Sequence, residues 1–157
     1  MEASYPGQMG NDNVALVREF LASIDRAVTH KDPEVIERLL GLIADDIRYQ
    51  NKPQRLVEGK EDFFNWFMEF IACEHMECNV LRAAADGDWV LTQRRDTWTM
   101  NGVKVTMDLM GSFEIRDGQI VTWLDYICDR EQWEASGQMP EGFFGRWASD
   151  TVVYEKV

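Results

Sequence analysis

Apolar residues recur at three- and four-residue steps in the first half of the chain, a spacing typical of amphipathic helices. The spacing predicts three helices, over residues 14–28, 33–40 and 60–72. Asp12 or Asn13 is expected to cap the first helix, and Asp32 followed by Pro33 gives the second helix a clear start signal. The third helix has a broad apolar surface that a sheet must cover, formed by Phe63, Phe64, Trp66, Phe67, Phe70 and Ile71.

Apolar and polar residues alternate in the second half of the chain, as expected of strands with one buried face. Strands are predicted over residues 47–53, 76–84, 89–100, 103–115 and 119–127. The last four are separated by short segments containing Asp-Gly or Asn-Gly, at residues 86–88, 101–102 and 117–118, which are strong hairpin signals. Gly111, inside the strand over residues 103–115, is predicted to mark a bend or bulge.

Helices followed by a meander of strands predict an α+β domain in which a curved mixed or antiparallel sheet wraps around helices and encloses an internal pocket. The length of 157 residues fits one domain with a core large enough to hold such a pocket. We expect a flexible N-terminal arm over residues 1–12 and the folded domain over residues 13–136, including a short helix at 130–135. Residues 137–157 are expected to form a tail that packs on the same domain or on a dimer partner.

The charge of the chain restricts its partners. A formal net charge of −12 repels nucleic acid and anionic membranes over roughly 8 Å in physiological salt. A small neutral molecule is therefore the expected ligand. Three cysteines cannot all pair, and the polar N-terminal segment lacks the pattern of a signal peptide, so we expect a soluble, cytoplasmic protein.

One carboxylate lies in an otherwise apolar row of the last predicted strand. Strand alternation places Asp125 on the same face as Val121, Trp123 and Ile127. Burial of an acid without a partner costs several kcal/mol of folding free energy. Such a position therefore suggests a function.

A second carboxylate is paired in sequence with an arginine. Asp96 follows Arg94 by two residues, so both side chains point to one face of a strand, and Trp98 and Met100 continue that face. If this face meets Asp125, two acids and an arginine form a proton-transfer site between apolar walls. Alone, the Arg94 and Asp96 pair is typical of a surface ion pair; its convergence with Asp125 is what favours a function.

Three short motifs carry a family resemblance. Tyr49-Gln-Asn51, Arg94-Arg-Asp96 and Trp123-Leu-Asp125-Tyr126 resemble the Tyr-x-Asn, Arg-x-Asp and Trp-x-Asp-Tyr motifs of the limonene-1,2-epoxide hydrolase family. Their order and spacing agree with the family over residues 14–135. The resemblance implies the nuclear-transport-factor-2-like (SnoaL-like) cone fold and a homodimer.

The resemblance also implies a reaction without metal or organic cofactor. Asp125 would take a proton from a water held by Tyr49 and Asn51 while that water attacks an epoxide carbon. Asp96 would protonate the epoxide oxygen, and Arg94 would hydrogen-bond both acids. The substrates would be a small, largely apolar epoxide and water, and the product a vicinal diol. Trp98, Met100, Val121, Trp123 and Ile127 are the expected walls of the substrate pocket.

The chemistry is reasonable whatever the family. Two nearby carboxyls of low exposure that share one arginine tend to hold one proton between them, because desolvation and mutual repulsion oppose a second charge. One group is then available as an acid and the other as a base. Other readings stay open: a ketosteroid-isomerase-like or polyketide-cyclase-like enzyme with a lone Asp base, or a module that binds a hydrophobic ligand without catalysis.

The sequence also contains a cluster of metal-ligand residue types, Cys73, His75, Glu77 and Cys78. Their spacing fits no structural zinc pattern, and no second cluster completes four ligands. We therefore expect no metal.

Overall fold

The computed structural model describes residues 6–52, 54–127 and 152–156. The described residues form three helices, α1 (Pro6–His30), α2 (Pro33–Gly41) and α3 (Lys60–Ile71). They also form seven strands: β1 (Ile43–Lys52), β2 (Val57–Glu58), β3 (His75–Asp86), β4 (Trp89–Met100), β5 (Val103–Arg116), β6 (Gln119–Ile127) and β7 (Val152–Lys156). None of the helices in this part of the chain is long and apolar enough to span a membrane.

Two of the three helices begin where the sequence predicts. Asp32 caps α2 by accepting a hydrogen bond from the backbone N–H of Glu34 at 2.9 Å, and α3 begins at Lys60. The predicted start of α1 at Asp12 or Asn13 is wrong, because the helix already begins at Pro6. A proline is well tolerated at the first helical position, so residues 6–12, which we expected in a loose arm, extend the helix.

The strands form one mixed sheet in the order β2-β1-β6-β5-β4-β3. β3 to β6 form an antiparallel meander, whereas β1 joins the sheet parallel to β6. Asn101 and Asp117 adopt positive φ angles of 53° and 52° in the hairpin turns, in agreement with the predicted turn chemistry. The α+β class and the mixed sheet predicted from the pattern are therefore confirmed.

The C-terminal strand continues the sheet beyond the end of β6. β7 pairs antiparallel with β5, from Val103 opposite Lys156 to Met107 opposite Val152. β6 pairs with β5 only from Leu109 onward. The end of the predicted tail therefore lies on the same sheet as the meander, whereas the predicted helix at residues 130–135 falls outside the described residues.

The core lies between the inner face of the sheet and helices α1 and α3. Phe20 of α1 meets the rings of Phe113 and Trp123 edge-on, at centroid distances of 6.5 and 5.4 Å. Phe63 and Phe67 of α3 are fully buried beside them. Burial of each such ring contributes about 1.5–3 kcal/mol, so this aromatic cluster holds α1 and α3 against the sheet.

Candidate active site

An internal cavity of about 240 Å³ opens beside this aromatic core. Nearly all of the predicted site residues line it: Tyr49, Asn51, Arg94, Asp96, Trp98, Met100, Trp123, Asp125 and Ile127. They come from β1, β4 and β6, which are far apart along the chain but close in the sheet. The sheet therefore brings the three motifs together around one space.

Arg94 bridges the two carboxylates. Its Nη2 donates to Asp125 Oδ2 at 2.7 Å and to Asp96 Oδ2 at 3.0 Å, and its Nε donates to Asp96 Oδ2 at 3.2 Å. The three residues are 1%, 4% and 5% exposed, so water hardly screens these contacts. A charge-assisted network of this kind in a nearly dry site holds the two carboxyl groups in a fixed relation.

The two acids differ in their surroundings. Asp125 accepts two short bonds, from Arg94 and from the indole Nε1 of Trp123 at 2.8 Å. Burial raises the pKa of Asp96 to about 6, although Arg94 opposes that shift. Asp96 also lies opposite Cys78, whose buried thiol faces the same cavity. Asp96 can therefore carry a proton near neutral pH.

The charges of the site also set the state of the other polar groups. Burial alone would lower the pKa of Arg94, but the nearby carboxylates of Asp125 and Asp96 raise it by more. The net pKa lies above the ordinary value, so the guanidinium stays charged. Burial and the nearby Asp125 carboxylate raise the pKa of Tyr49 well above its usual value. Tyr49 therefore keeps its proton and can donate a hydrogen bond into the cavity.

Tyr49 and Asn51 are aligned with the last motif by the sheet register. In the parallel pair of β1 and β6, Tyr49 lies beside Trp123 and Asn51 lies beside Asp125. The Tyr49 ring packs against Trp66 and Trp123, at centroid distances of 4.1 and 4.7 Å. The side-chain oxygen of Asn51 is buried and has no hydrogen-bond partner in the described part of the chain. An acceptor in that state, next to a carboxylate, suits a small polar molecule with a proton to donate.

One predicted wall residue does not line the cavity. Val121 is buried, but it is the extra residue of a bulge: Glu114 pairs with Thr122, and the next residue of β5, Ile115, pairs with Ile120. A bulge interrupts the alternation of side chains. The prediction that Val121 shares a face with Asp125 is therefore wrong at this position.

Gly111 does not mark the predicted bulge. Its pairing with Thr92 and Asp125 follows a regular register on both sides. A side chain at this position would instead meet Arg94 and Asp125, because a Cβ built on Gly111 lies 2.6 Å from Arg94 Nη1 and 2.7 Å from Asp125 Oδ1.

The structure adds lining residues that the sequence analysis did not assign to the pocket. They are Gln54, Trp66, Phe70, Met76, Cys78, Met107 and Leu109. Met107 and Leu109 lie on the alternating apolar face of β5, and Trp66 and Phe70 lie on the apolar face of α3. Alternation and helical spacing predict that all four face the interior. The sequence has no signal that distinguishes a residue of the pocket wall from a residue of the core.

No three His, Cys, Asp or Glu side chains in the described ranges are grouped so that they could share a metal ion. The residues of the candidate cluster at 73–78 point in different directions, because Cys73 precedes β3 and the side chains of His75, Glu77 and Cys78 follow the alternation of that strand. Cys73, Met76 and Cys78 are buried, whereas His75 and Glu77 are exposed.

Comparison with known proteins agrees with the fold. A sequence profile described as the limonene-1,2-epoxide hydrolase catalytic domain matches residues 11–133. The match covers more than half of the chain, and the chain belongs to this family.

The sequence is 29% identical over 101 residues to epoxide hydrolase EphG of Mycobacterium tuberculosis (strain ATCC 25618 / H37Rv). That alignment spans 64% of this chain and 66% of the relative, slightly less than two thirds of its length.

Solved structures extend the likeness of the fold. A structure of a limonene-epoxide-hydrolase-like epoxide hydrolase from M. tuberculosis superposes with a TM-score of 0.66 at 24% identity, over 80% of this chain and 90% of that chain. The epoxide hydrolase/cyclase-like enzyme SalBIII, described in pyran ring formation in the polyether salinomycin, superposes with a TM-score of 0.61 at 17% identity, over 75% of this chain and 92% of that chain. The predicted cone-type fold is confirmed.

Proposed function

We propose that this protein is a cofactor-independent epoxide hydrolase that adds water to a small, largely apolar epoxide in one step. The observation that carries the proposal is the Arg94 bridge, which holds Asp96 and Asp125 together in a mostly apolar cavity. Family membership supports the reaction class. The remaining question is how the described groups perform it.

The attacking water is held by three groups. It donates one proton to Asp125 and the other to the unpaired Asn51 Oδ1, and it accepts a hydrogen bond from the Tyr49 hydroxyl. A water molecule has two donors and two acceptor lone pairs, so this arrangement leaves one lone pair free to attack carbon. The close register of Asn51 with Asp125 keeps the base and the clamp together.

Asp96 supplies the acid. As the bond between water oxygen and carbon forms, the ring C–O bond breaks, and the proton of Asp96 passes to the departing oxygen. Asp125 then holds the proton taken from water and Asp96 is ionised, so exchange with solvent must restore the starting state. Positioned acids and bases each contribute about 10²–10⁴-fold to such reactions.

The walls support a substrate with apolar bulk. Trp66, Phe70 and Trp98 form an aromatic side of the cavity, and Met107, Leu109 and Ile127 form an aliphatic side. Removal of water by such walls strengthens the electrostatic interactions of the acid pair. We therefore propose cyclic and aryl epoxides as the substrate class.

A single-turnover assay in H₂¹⁸O tests the proposal. Cyclohexene oxide and styrene oxide would be incubated with excess enzyme, and the diols analysed by mass spectrometry. Direct attack by water puts ¹⁸O into the diol in the first turnover. A covalent aspartyl ester would instead deliver unlabelled protein oxygen first, and an isomerase or cyclase would form no diol. Asp125→Asn is expected to abolish turnover, with Asp108→Asn as the control, since Asp108 is exposed and pairs with Arg95 outside the cavity.

A ligand-binding module without catalysis makes a different prediction. It would bind the epoxide, release it unchanged, and keep its affinity after loss of either Asp96 or Asp125. Calorimetry of cyclohexene oxide with Asp96→Asn and Asp125→Asn, beside the diol assay on the wild-type protein, separates the two readings. Unchanged affinity with no diol from the wild type supports the binding module, and diol from the wild type supports the hydrolase.

We further propose a homodimer in a reducing, cytoplasmic compartment. The outer face of the sheet exposes Leu91, Met110 and Tyr126 to 47%, 51% and 46%, and Met110 and Tyr126 are direct cross-strand neighbours. Such a face favours association. Sedimentation of the protein before and after Met110→Lys tests the dimer, and a monomeric wild-type protein would refute it. The free thiols of Cys73 and Cys78 agree with a reducing environment.

A further inference from the structure

Arg94 reaches Asp125 across an intervening strand. Arg94 lies on β4 and Asp125 on β6, and β5 runs between them. Neighbouring strands are about 4.8 Å apart, so the two backbones are separated by about 10 Å. The guanidinium must therefore pass over the inner face of β5 before it can donate to the carboxylate at 2.7 Å.

The register shows which residue it passes over. On the inner face of the sheet, Thr92, Gly111 and Asp125 form one cross-strand row, and Arg94, Leu109 and Ile127 form the next. A diagonal from Arg94 to Asp125 therefore crosses β5 between Leu109 and Gly111. On the Asp125 side of this crossing, Gly111 is the residue of β5 that the guanidinium passes. Phe113 follows on the same face, with its ring centroid 5.8 Å from the guanidinium carbon of Arg94.

The space above Gly111 is already filled by the site. A Cβ added there would lie 2.6 Å from Arg94 Nη1, 2.7 Å from Asp125 Oδ1 and 2.9 Å from Thr92 Oγ1. Carbon atoms do not approach side-chain atoms so closely, and all three neighbours are buried. Arg94 Nη1, a buried donor without a hydrogen-bond partner in the described part of the chain, is the atom that lies closest to this space.

We propose that Gly111 is a positioning residue whose missing side chain is the gap through which Arg94 connects the two acids. The inference rests on the proposed function for its kinetic part only. The requirement is one of space and not of backbone conformation, since Gly111 is not among the glycines with positive φ. Alanine can therefore adopt the same backbone but must displace Arg94 or Asp125.

The first test is Gly111→Ala, with Gly41→Ala as the matched control. Gly41 has no atom within 4 Å of an added Cβ. For hydrolysis of cyclohexene oxide, Gly111→Ala is expected to lower kcat at least about 100-fold, since displacement of a catalytic group by about 1 Å has effects of this size. KM is expected to change only a few-fold, because the apolar walls remain. A crystal structure of the variant should show the bond between Arg94 Nη2 and Asp125 Oδ2 broken, and an intact bond with unchanged kcat would overturn the inference.

The second test does not depend on catalysis. Arg94→Met removes the nearest of the three groups around the added Cβ, whereas Asp125 and Thr92 remain. Gly111→Ala should therefore lower the melting temperature of the wild-type protein by several degrees and that of the Arg94→Met variant by clearly less. Equal losses in both backgrounds would mean that Gly111 acts elsewhere. If Gly111→Ala alone does not fold, recovery of folding in the double variant supports the proposal, and failure of both overturns it.

Absence of any diol from the wild-type protein would refute the proposed hydrolase, yet the melting temperatures would still decide the role of Gly111.

Discussion

The indole of Trp123 donates a hydrogen bond to Oδ1 of Asp125, two residues further along the same strand, at 2.8 Å. Trp123→Phe removes this donor but keeps an aromatic ring stacked on Phe113. Hydrogen bonds to charged groups contribute about 1.5–3 kcal/mol, so we expect kcat to fall about 10- to 100-fold. Steady-state kinetics with cyclohexene oxide measure the loss. Trp89→Phe, at a strand position that does not line the cavity, is the control, and equal kinetics of the two variants would contradict the prediction.

The raised pKa of Asp96 predicts how activity depends on pH. Burial raises this pKa to about 6, and the proposed mechanism needs Asp96 protonated. We therefore expect kcat/KM to fall about tenfold for each pH unit above about 6, since this parameter follows the free enzyme. A profile recorded between pH 5 and 9 measures the slope. Asp108→Asn should keep this profile, whereas rising activity above pH 6 in the wild type would exclude Asp96 as the acid.

The same pKa predicts a change of stability with pH. Asp96 titrates at about 6 when folded and at the ordinary value of 3.8 when unfolded, so the folded chain binds more protons between these values. Stability contributed by Asp96 is therefore present below about pH 4 and lost as the pH rises through about 6, by about 3 kcal/mol in total. Denaturant unfolding of wild type and Asp96→Asn at pH 4 and 7 measures it. The free energy of unfolding of the variant should improve relative to wild type as pH rises, and a constant difference would contradict the assignment.

Two neighbouring arginines provide a comparison of buried and exposed ion pairs. Arg94 is 1% exposed and bound to Asp96 and Asp125, whereas the side chains of Arg95 and its partner Asp108 are about half exposed. Arg94→Met leaves two acids buried without a cation, and we expect a loss of about 3–5 kcal/mol at pH 7. Arg95→Met should have little measurable effect, because solvent screens its pair. Chemical denaturation of both variants tests the contrast, which similar losses would refute.

Lys31 connects the end of α1 to the helix that carries part of the aromatic wall. Its Nζ donates to the backbone carbonyls of Ile71 and Cys73, where α3 ends. A cation at a helix C-terminus stabilises it by about 0.3–1 kcal/mol, and Lys31→Met should lose about that amount. The substitution Lys31→Met should also raise KM, because the end of α3, which carries Trp66 and Phe70, is then held less firmly. Lys60→Met at the other end of α3 is the control. An unchanged KM in Lys31→Met would mean that the Lys31 contacts do not influence the pocket.

Strand periodicity alone places much of the candidate site. Arg94 and Asp96 differ by two residues, as do Trp123 and Asp125, so the members of each pair share one face of their strand. The apolar neighbours on those faces indicate that they point to the interior. The alternation fails at Val121, where a bulge adds one residue to β6, because bulges have no dependable signal in a single sequence.

The convergence of the pairs depends on contacts that are distant in sequence. The parallel pairing of β1 with β6, which puts Asn51 beside Asp125, follows from tertiary packing and not from any local pattern. Gly111 shows a different limit. The sequence shows that residue 111 is a glycine. Only the structure shows why a side chain does not fit there, because Arg94 and Asp125 already occupy the space.

The order of the strands also sets the stereochemistry of the proposed reaction. The clamp residues on β1 lie beside Asp125 on β6, while Asp96 lies beyond β5 on β4. In the proposed reaction the nucleophile would approach from one side of the chamber and the departing oxygen would leave toward the other, which is the in-line geometry of backside displacement. A cyclic epoxide opened between these strands would undergo inversion at the attacked carbon, and its two hydroxyls would emerge on opposite faces of the ring as a trans-diol.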